Sequence, residues 1–307
     1  EVILIPQFDP NKFDELLLEN KPNHMVGVPS HYGNIIHSKK LKNEDLSYVI
    51  APTVGGDKMD ENLEKETNEF LREHNCEYKV VKGYGMTEVN AAVAACTSNE
   101  TNKIGSVGIP FPNTTISIFD PKTGEELGYN EKGEVCITGP NTMLGYFNND
   151  EETNKILRKH EDGNVWVHSG DIGYMDADGN LYIVDRLKRM IIRPDGFKIF
   201  PSLIEDVVVK HPSVQSCKAV GLRDFSFSQG KLPKVHVVLN ETDRNPKAIE
   251  NEILMLCEEQ LPEYYWPCEI EFNESLPLTP IGKIDYLKLE KEDYEKQLAA
   301  TKKLVKK

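Results

Sequence analysis

The chain has 307 residues, of which 39% are hydrophobic and 28% charged, and its formal net charge is −14. This length predicts about two domains, each able to bury a core. The acidic balance argues against a nucleic-acid-binding surface, because the phosphate backbone would be repelled.

The cysteines and the apolar runs bear on where the protein works. Six cysteines occur, and none has the short spacing of a zinc ligand set, so we expect reduced thiols in a cytoplasmic protein. No run is long and apolar enough for a membrane span, and we find no signal peptide. The chain begins without Met in the strand-like residues 1–5, and we therefore expect a fragment of a longer protein.

Strand and helix signals alternate over the first hundred residues. Apolar runs at 2–5, 24–28, 46–51 and 78–81 predict strands, and amphipathic stretches at 11–19 (with Asp9 as cap) and 59–74 predict helices. This alternation predicts an α/β layer with parallel strands, in which ligands lie at the carboxyl ends of the strands. Both Gly55-Gly56-Asp57 and the stretch from Gly83 to Glu88 follow predicted strands, so they could meet over one ligand.

The remainder of the chain is richer in short strands. Runs at 115–119, 133–138, 165–168 and 181–184, separated by turn clusters, predict a small antiparallel sheet or barrel. Residues 190–199 predict a hairpin that turns at Pro194-Asp195-Gly196. After it we expect an α+β pattern: strands at 216–222, 234–239 and 270–272, and helices at 201–211, 247–260 and 285–300, the first with a Ser202–Glu205 capping box.

The stretch from Gly83 to Glu88 carries the clearest chemistry. Its glycines let the backbone approach a ligand, Tyr84 offers a ring for a base, Thr87 a hydroxyl for a phosphate, and Glu88 an oxygen for a hard cation. The competing interpretation is a turn in which Thr87 and Glu88 cap a following helix. Taken alone, the stretch favours that simpler interpretation.

At three further positions the sequence allows either a ligand-binding role or an ordinary turn or surface charge. The Gly55-Gly56-Asp57 turn lacks the Walker pattern. Asp171, after Ser169-Gly170 at the end of a predicted strand, suits ribose hydroxyls, or else forms a surface ion pair with Arg186. Lys283 lies in an extended loop with two prolines and a glycine, and is otherwise one more solvated lysine. His168, which directly precedes the Ser169-Gly170-Asp171 motif, is interpreted as a structural residue.

Four motifs decide between these interpretations because they occur together and in order. They are Gly83 to Glu88, Gly133-Glu134-Val135 through Gly145-Tyr146-Phe147, Ser169-Gly170-Asp171 leading to Asp185-Arg186, and Pro277 through Asp285 around Lys283. With them the chain resembles the C-terminal part of an adenylate-forming enzyme of the acyl-CoA synthetase, luciferase and peptide-synthetase adenylation superfamily. The resemblance covers nearly the whole chain.

The resemblance implies an α/β plus β-barrel plus α+β fold: the remnant of a large N-terminal domain followed by a small mobile C-terminal lid. The implied domains are 1–98 (α/β AMP-binding part), 99–187 (β-barrel-like) and 188–307 (α+β lid). The implied catalytic residues are Lys283, Thr87 and Glu88, with Glu88 also on Mg²⁺. The implied cofactor-binding residues are Gly55, Gly56, Asp57, Tyr84, Gly85, Met86, Asp171, Arg186, Lys188 (as hinge), Gly196 and Phe197 (both toward coenzyme A).

The implied activity is that of an ATP-dependent carboxylate–CoA ligase that forms an acyl adenylate, using ATP, Mg²⁺ and coenzyme A. Residues 26–32 and 86–91 would line part of an acyl pocket, where Val26, Val28, Tyr32 and Val89 indicate either an apolar substrate or simply core. Asp195 departs from the family pattern, in which lysine is common. The alternatives are an amino-acid-activating adenylation domain and a non-catalytic nucleotide- or acyl-binding protein. We find no Ser/Thr/Gly-rich phosphate loop, so we expect little activity from these residues alone.

Overall fold

The computed structural model describes residues 2–5, 9, 12–98, 101–223, 229–240, 244–279 and 283–305, with only the backbone from 300 onward. The chain divides into two compact units, Glu1–Ile183 and Val184–Lys307. We call these the first and the second unit and describe each by itself.

The first unit opens with the predicted α/β layer. Its five-stranded sheet has the order β1-β2-β3-β4-β5, in which β1, β2 and β3 are parallel and the last two strands antiparallel. The strands are β1 (His24–Gly27), β2 (Ala51–Val54), β3 (Val81–Met86), β4 (Ala91–Ala95) and β5 (Ile109–Pro110), and the helices are α1 (Phe13–Asn20), α2 (Pro29–Ile36) and α3 (Glu61–Glu73). The apolar faces of these helices bury Tyr32, Ile35 and Leu71 in one core.

Some of the predicted boundaries in this layer are wrong. Residues 2–5 form no strand, and Val2 and Leu4 are 93% and 83% exposed. The run at 46–51 is a buried turn, because Leu46 and Val49 pack into the core while β2 starts only at Ala51. An apolar run indicates burial, and a short one does not distinguish a strand from a packed turn.

The strand expected at 78–81 is also displaced, since β3 runs from Val81 through the glycines of the motif. The N-cap residue of α1 is Lys12, not Asp9, and it makes no side-chain cap hydrogen bond; the Asp9 carbonyl oxygen lies 3.0 Å from the Lys12 nitrogen. The predicted Asp9 cap is therefore wrong.

An antiparallel sheet completes the first unit. Its strands β6 (Thr115–Phe119), β7 (Gly133–Thr138), β9 (Val165–Met175) and β10 (Leu181–Arg186) have the order β10-β9-β7-β6, with β8 (Leu157–Lys159) paired to β9 after α4 (Asp150–Ile156). Among the described residues this sheet is open and does not close into a barrel. The last strand, β10, continues across the division between the units.

The second unit has the predicted α+β organisation. The hairpin is present as β11 (Ile191–Ile192) paired to β12 (Lys198–Ile199). A three-stranded sheet of β13 (Val214–Arg223), β14 (Lys231–Leu239) and β15 (Glu269–Asn273) is antiparallel between the first two strands and parallel between the last two. The helices are α5 (Pro201–Val208), α6 (Pro246–Gln260) and α7 (Tyr286–Val305).

The capping box predicted for α5 is wrong, because both of its side chains are engaged elsewhere. The N-cap is Phe200, with Pro201 at the first helical position. The Ser202 hydroxyl donates to the Val184 carbonyl oxygen at 2.6 Å, and its backbone N–H donates to the Asp185 carboxylate at 2.8 Å. Glu205 instead accepts from Arg189 in a partly buried ion pair.

The structure also bears on the cysteines and on possible membrane-spanning helices. All six cysteines lie among the described residues and carry free thiols, as expected. Among the described helices, none has the length and apolar character that crossing a bilayer requires.

Candidate functional site

The first glycine-rich motif forms one arm of a tight β-hairpin, not the turn into a helix considered above. Residues Gly83 to Met86 belong to β3, and a single 3₁₀ turn, Thr87–Val89, leads back into β4. A Cβ atom on Gly85 would lie 1.8 Å from the Ala91 carbonyl oxygen, so only glycine allows this approach. Ala91 itself has φ of +94°, a strained backbone of the kind that concentrates at functional sites.

The second glycine motif lies beside the first. Gly55 follows β2 directly, and a Cβ at this position would be 3.8 Å from the Gly83 carbonyl oxygen. Gly56 has φ of +76°, and the exposed Asp57 accepts a hydrogen bond from the Lys58 backbone N–H at 2.9 Å. The parallel pairing of β2 and β3 thus brings two glycine-containing stretches, Gly55-Gly56 and Gly83, close together.

The Tyr84 side chain joins this hairpin to the antiparallel sheet. Its phenol donates a hydrogen bond of 2.6 Å to Oδ2 of Asp171. Asp171 is only 3% exposed and lies within β9, not at a strand end as predicted. The displacement arises at Gly170, whose φ of +69° lets the strand continue past the motif. A buried carboxylate with a hydroxyl donor is suited to accept hydroxyl groups of a ligand as well.

A second tyrosine holds Glu88 at the hairpin tip. The Tyr146 phenol donates to Oε1 of Glu88 at 2.6 Å, and this hydrogen bond to a carboxylate raises the pKa of Tyr146 to about 12. Thr87, next to Glu88, is exposed. Hydroxyl and carboxylate oxygens at a strand end are the hard ligands that Mg²⁺ takes.

Beneath Asp171 lies a supporting network that the sequence indicated only in part. The Gly170 backbone N–H donates to Oε1 of Glu134 at 3.1 Å, and Nδ1 of His168 lies 2.8 Å from Oε2 of the same carboxylate. Burial works against ionisation of Glu134, but the His168 hydrogen bond outweighs it and lowers the Glu134 pKa. His168 therefore has the structural role expected of it, while the roles of Glu134 and Tyr146 were missed although both stand in a recognised motif.

The remaining predicted site residues belong to the second unit or to its start. Arg186, the last residue of β10, and Lys188, in a 3₁₀ turn, are both exposed. Gly196 turns the hairpin with φ of +87°, and Phe197, 51% exposed, stacks on Tyr264 at 4.5 Å between ring centroids.

The departure from the family pattern at Asp195 has a local explanation. Its carboxylate accepts from the Arg193 guanidinium at 2.8 Å, an interaction that lowers the Asp195 pKa. Arg193 also donates to the Tyr264 carbonyl oxygen at 3.1 Å. Asp195 thus stabilises the hairpin end by pairing with Arg193.

Lys283 is joined to Thr279 by two hydrogen bonds. The Thr279 N–H donates to the Lys283 carbonyl oxygen at 2.7 Å, and the Lys283 N–H donates to the Thr279 hydroxyl at 3.2 Å. Leu278 and Ile284 form an antiparallel bridge next to it. The extended loop predicted around Lys283 includes residues 280–282, which lie outside the described part of the chain.

The residues suggested for an acyl pocket separate into two groups. Tyr32 and Val89 are fully buried members of the core, which supports the core alternative for both. Val26 is 74% exposed. Met86 packs, partly buried, against the same core as Val89.

The glycine turn after β2 and the glycine-rich arm of β3 lie near two carboxylates that each accept a tyrosine hydroxyl, and glycines at the ends of parallel strands are typical of nucleotide sites in α/β folds. The chain belongs to the family of AMP-binding enzymes: the AMP-binding enzyme model matches residues 1–147, and the AMP-binding enzyme C-terminal domain model matches residues 203–283.

Relatives and solved structures agree with this membership. A long-chain-fatty-acid–CoA ligase of Bacillus subtilis is 34% identical over 295 residues, covering 96% of this chain and 50% of that protein. The 4-coumarate–CoA ligase 1 of Glycine max is 33% identical, covering 92% of this chain and 94% of that one. ATP-bound MatB from Rhodopseudomonas palustris superposes with a TM-score of 0.81 at 25% identity, covering 94% of this chain and 54% of that one. The chain spans about half the length of the first relatives that it matches.

Proposed function

We propose that the protein containing this chain is an ATP-dependent carboxylate–CoA ligase. A carboxylate oxygen attacks the α-phosphorus of ATP, pyrophosphate leaves, and an acyl adenylate forms. The coenzyme A thiol then attacks the acyl carbonyl and AMP leaves. The observation that carries the proposal is that three motifs converge on β3 and the turn after it. Gly55 lies next to Gly83. The Tyr84 hydroxyl donates to Asp171, and the Tyr146 hydroxyl donates to Glu88.

The nucleotide is assigned to the bare backbone and to Asp171. Gly55 and Gly56 allow the adenine to approach the main chain, and the Tyr84 ring offers a stacking face. Gly85 is proposed to contribute by letting β4 pack closely behind that ring. Asp171 accepts the ribose hydroxyls, with Arg186 assigned to the ribose or phosphate. Met86 and Asp57 complete the set of residues proposed for the nucleotide.

A divalent cation fits the hairpin tip. Glu88 supplies a carboxylate oxygen and Thr87 a hydroxyl, and both are oxygen donors that suit Mg²⁺. A triphosphate beside Glu88 and Asp171 would be repelled without positive charge, and bound Mg²⁺ supplies that charge neutralisation.

Lys283 is proposed to neutralise the charge that develops on the carboxylate and α-phosphate. An ammonium group is a compact charge on a flexible stem, and the Thr279–Lys283 turn fixes its backbone. Lys188 is proposed as the hinge, and Gly196 with Phe197 as the contact for coenzyme A. Two relatives carry the name of CoA ligases, which supports CoA as the acceptor. The free thiols favour the reducing cytoplasm as the compartment.

The test is carboxylate-dependent ATP–pyrophosphate exchange by the natural protein that contains these residues, with fatty, aromatic and amino acids. Lys283→Ala should abolish exchange, whereas Lys288→Ala, an exposed lysine in the same unit, should leave it intact. Added CoA should then consume the acyl adenylate. Exchange with amino acids alone would replace the proposal by an amino-acid-activating enzyme, and ATP binding without any exchange would replace it by a non-catalytic binding protein.

A further inference from the structure

The segment from 139 to 147 wraps over the tip of the β3–β4 hairpin at three points. The Met143 backbone N–H donates to the Glu88 carbonyl oxygen at 2.9 Å, and the Asn141 side-chain amide donates to the Val89 carbonyl oxygen at 3.0 Å. Tyr146 makes the third contact, to the Glu88 carboxylate at 2.6 Å. Two contacts therefore fix the backbone of the tip, and the third fixes the Glu88 side chain.

Tyr146 is itself anchored from the other side. Its backbone N–H donates to the Thr153 hydroxyl at 2.9 Å, and the same hydroxyl donates to the Asn149 carbonyl oxygen at 2.8 Å. Asn149 caps α4 by accepting from the Glu152 N–H at 3.2 Å. The Tyr146 backbone is thus held at the start of a capped helix by contacts that do not involve Glu88.

The hydrogen bond to Glu88 is of the strong, charge-assisted kind. An O–H donor 2.6 Å from a carboxylate oxygen is at the short end for such bonds, and they are about twice as strong as neutral ones. Donation goes to Oε1 alone, and no hydrogen bond to Oε2 is seen among the described residues.

We propose that Tyr146 is a positioning residue that holds the Glu88 carboxylate in one orientation, with Oε2 directed to a divalent cation. This inference rests on the proposed function, since the cation is the one that would accompany ATP. Without such a contact, a glutamate at a hairpin tip loses side-chain conformational entropy when it binds a metal. Because Tyr146 already restricts the Glu88 side chain, less entropy is lost on metal binding. Hydrogen bonds that orient a metal ligand typically raise metal affinity 10- to 100-fold.

The variant Tyr146→Phe isolates this contact. It removes the hydroxyl and keeps the ring, while the Met143 and Asn141 contacts continue to hold the backbone. Tyr129→Phe is the matched control, because Tyr129 belongs to the same unit, is 65% exposed and takes no part in the proposed site. Glu88→Gln, alone and combined with Tyr146→Phe, tells whether Tyr146 acts through Glu88.

The measurement is binding of Mn²⁺, as a spectroscopic substitute for Mg²⁺, in the presence of ATP, followed by electron paramagnetic resonance. Tyr146→Phe should weaken Mn²⁺ binding about tenfold, Tyr129→Phe should not change it, and Tyr146→Phe should add no further loss to Glu88→Gln. Equal affinity in wild type and Tyr146→Phe, or a full additional loss in the Glu88→Gln background, would overturn the inference. So would a wild-type protein that binds ATP but no Mn²⁺.

The Mg²⁺ dependence of ATP–pyrophosphate exchange separates this inference from the proposed function. In an active protein, Tyr146→Phe should raise the Mg²⁺ concentration for half-maximal exchange by about the same tenfold factor. A merely structural role would lower the amount of folded protein without moving that concentration. If wild type shows no exchange while Mn²⁺ binding still responds to Tyr146→Phe, the ligase proposal fails and the positioning role stands.

Discussion

Gly85 approaches Ala91 so closely across the hairpin that a Cβ on Gly85 would lie 1.8 Å from the Ala91 carbonyl oxygen, while the strand partner of Gly85 is the next residue, Ala92. Gly85→Ala must therefore push β3 and β4 apart. We expect a loss of about 3 kcal/mol or more in the free energy of unfolding of the first unit, at the upper end for an overpacked site. Urea unfolding followed by the fluorescence of Trp166, in a Trp266→Phe background, measures it.

Gly33 provides the control for this substitution. It lies inside α2 and has nothing within 4 Å of its missing Cβ. Gly33→Ala should leave stability unchanged or raise it by up to about 1 kcal/mol, because alanine is the better helix former. Equal effects of the two substitutions would contradict the packing argument.

Tyr84→Phe tests the buried pair with Asp171. The ring remains, but a carboxylate that is 3% exposed loses a donor 2.6 Å away. We expect the first unit to lose about 1–3 kcal/mol of stability without ligand, the cost of removing a donor from a buried acceptor. Part of that loss should return on adding ATP, because ribose hydroxyls would replace the phenol as donors to Asp171.

Tyr182→Phe is the comparison, since its hydroxyl is 3.5 Å from the Asp176 carboxylate, a much weaker contact. That variant should retain wild-type stability. A Tyr84→Phe protein as stable as Tyr182→Phe, with no added response to ATP, would show that the Tyr84–Asp171 bond carries little energy.

Asp293→Asn tests how α7 is held on the sheet of the second unit. The Asp293 carboxylate accepts from Lys234 at 2.7 Å and pairs with His236 at 2.8 Å, and all three side chains are at most 3% exposed. Without it, the buried Lys234 retains Glu271 and Glu269 as its carboxylate partners among the described residues. We expect a loss of about 3 kcal/mol, as for other broken buried ion pairs.

The matched control on the same helix is Lys296→Ala. Lys296 also pairs with Glu271, at 2.6 Å, but its side chain is 58% exposed. Its removal should cost less than about 1 kcal/mol. Unfolding followed by Trp266 fluorescence in a Trp166→Phe background compares the two variants.

The acid stability of the second unit should depend on Glu205. Burial opposes ionisation of this carboxylate, yet Lys218 and Arg189 outweigh it and lower the Glu205 pKa below its ordinary 4.5. A lowered pKa in the folded state means that the stabilisation is complete above about pH 4.5. It is lost as the pH falls from there through the folded-state value.

Glu205→Gln should therefore lower stability at pH 7, by about 3 kcal/mol because buried cations lose their partner, and make the decline below pH 5 shallower. Unfolding midpoints between pH 7 and pH 3 test both effects. If the unfolding midpoints of wild type and variant fall in parallel from pH 7 to pH 3, Glu205 does not determine the loss of stability in acid.

The sequence predicts the fold well where a short run of strand-forming residues lies between clusters of turn-forming residues. Strands β6 and β7 begin and end at the predicted residues, because each is a short β-branched run between clusters of Gly, Pro, Asn and Asp. The hairpin at Gly196 is equally local. Where burial comes from a turn, as at Leu46 and Val49, the same apolar signal misleads.

The residues of the candidate site are likewise predictable where the signal is local in the sequence, and not where it depends on a distant partner. Residue types and order indicate Glu88 and Asp171, since the motifs that contain them are contiguous. The partners of these carboxylates are not predictable in this way, because Tyr146 is 58 residues from Glu88 and Tyr84 is 87 residues from Asp171 along the chain. Likewise, Ser202 and Glu205 match a local cap pattern that distant Asp185 and Arg189 override.

The position of Asp185 has a practical consequence for dissecting the molecule. Its carboxylate accepts from Arg189 at 3.0 Å and from the first turn of α5 through Ser202, so it is built into the second unit. An expression fragment cut just before Lys188 would discard this anion and leave Arg189 with Glu205 as its remaining carboxylate partner among the described residues. A fragment begun at Val184 or earlier keeps both contacts, and is therefore the one to choose for labelling the second unit for NMR.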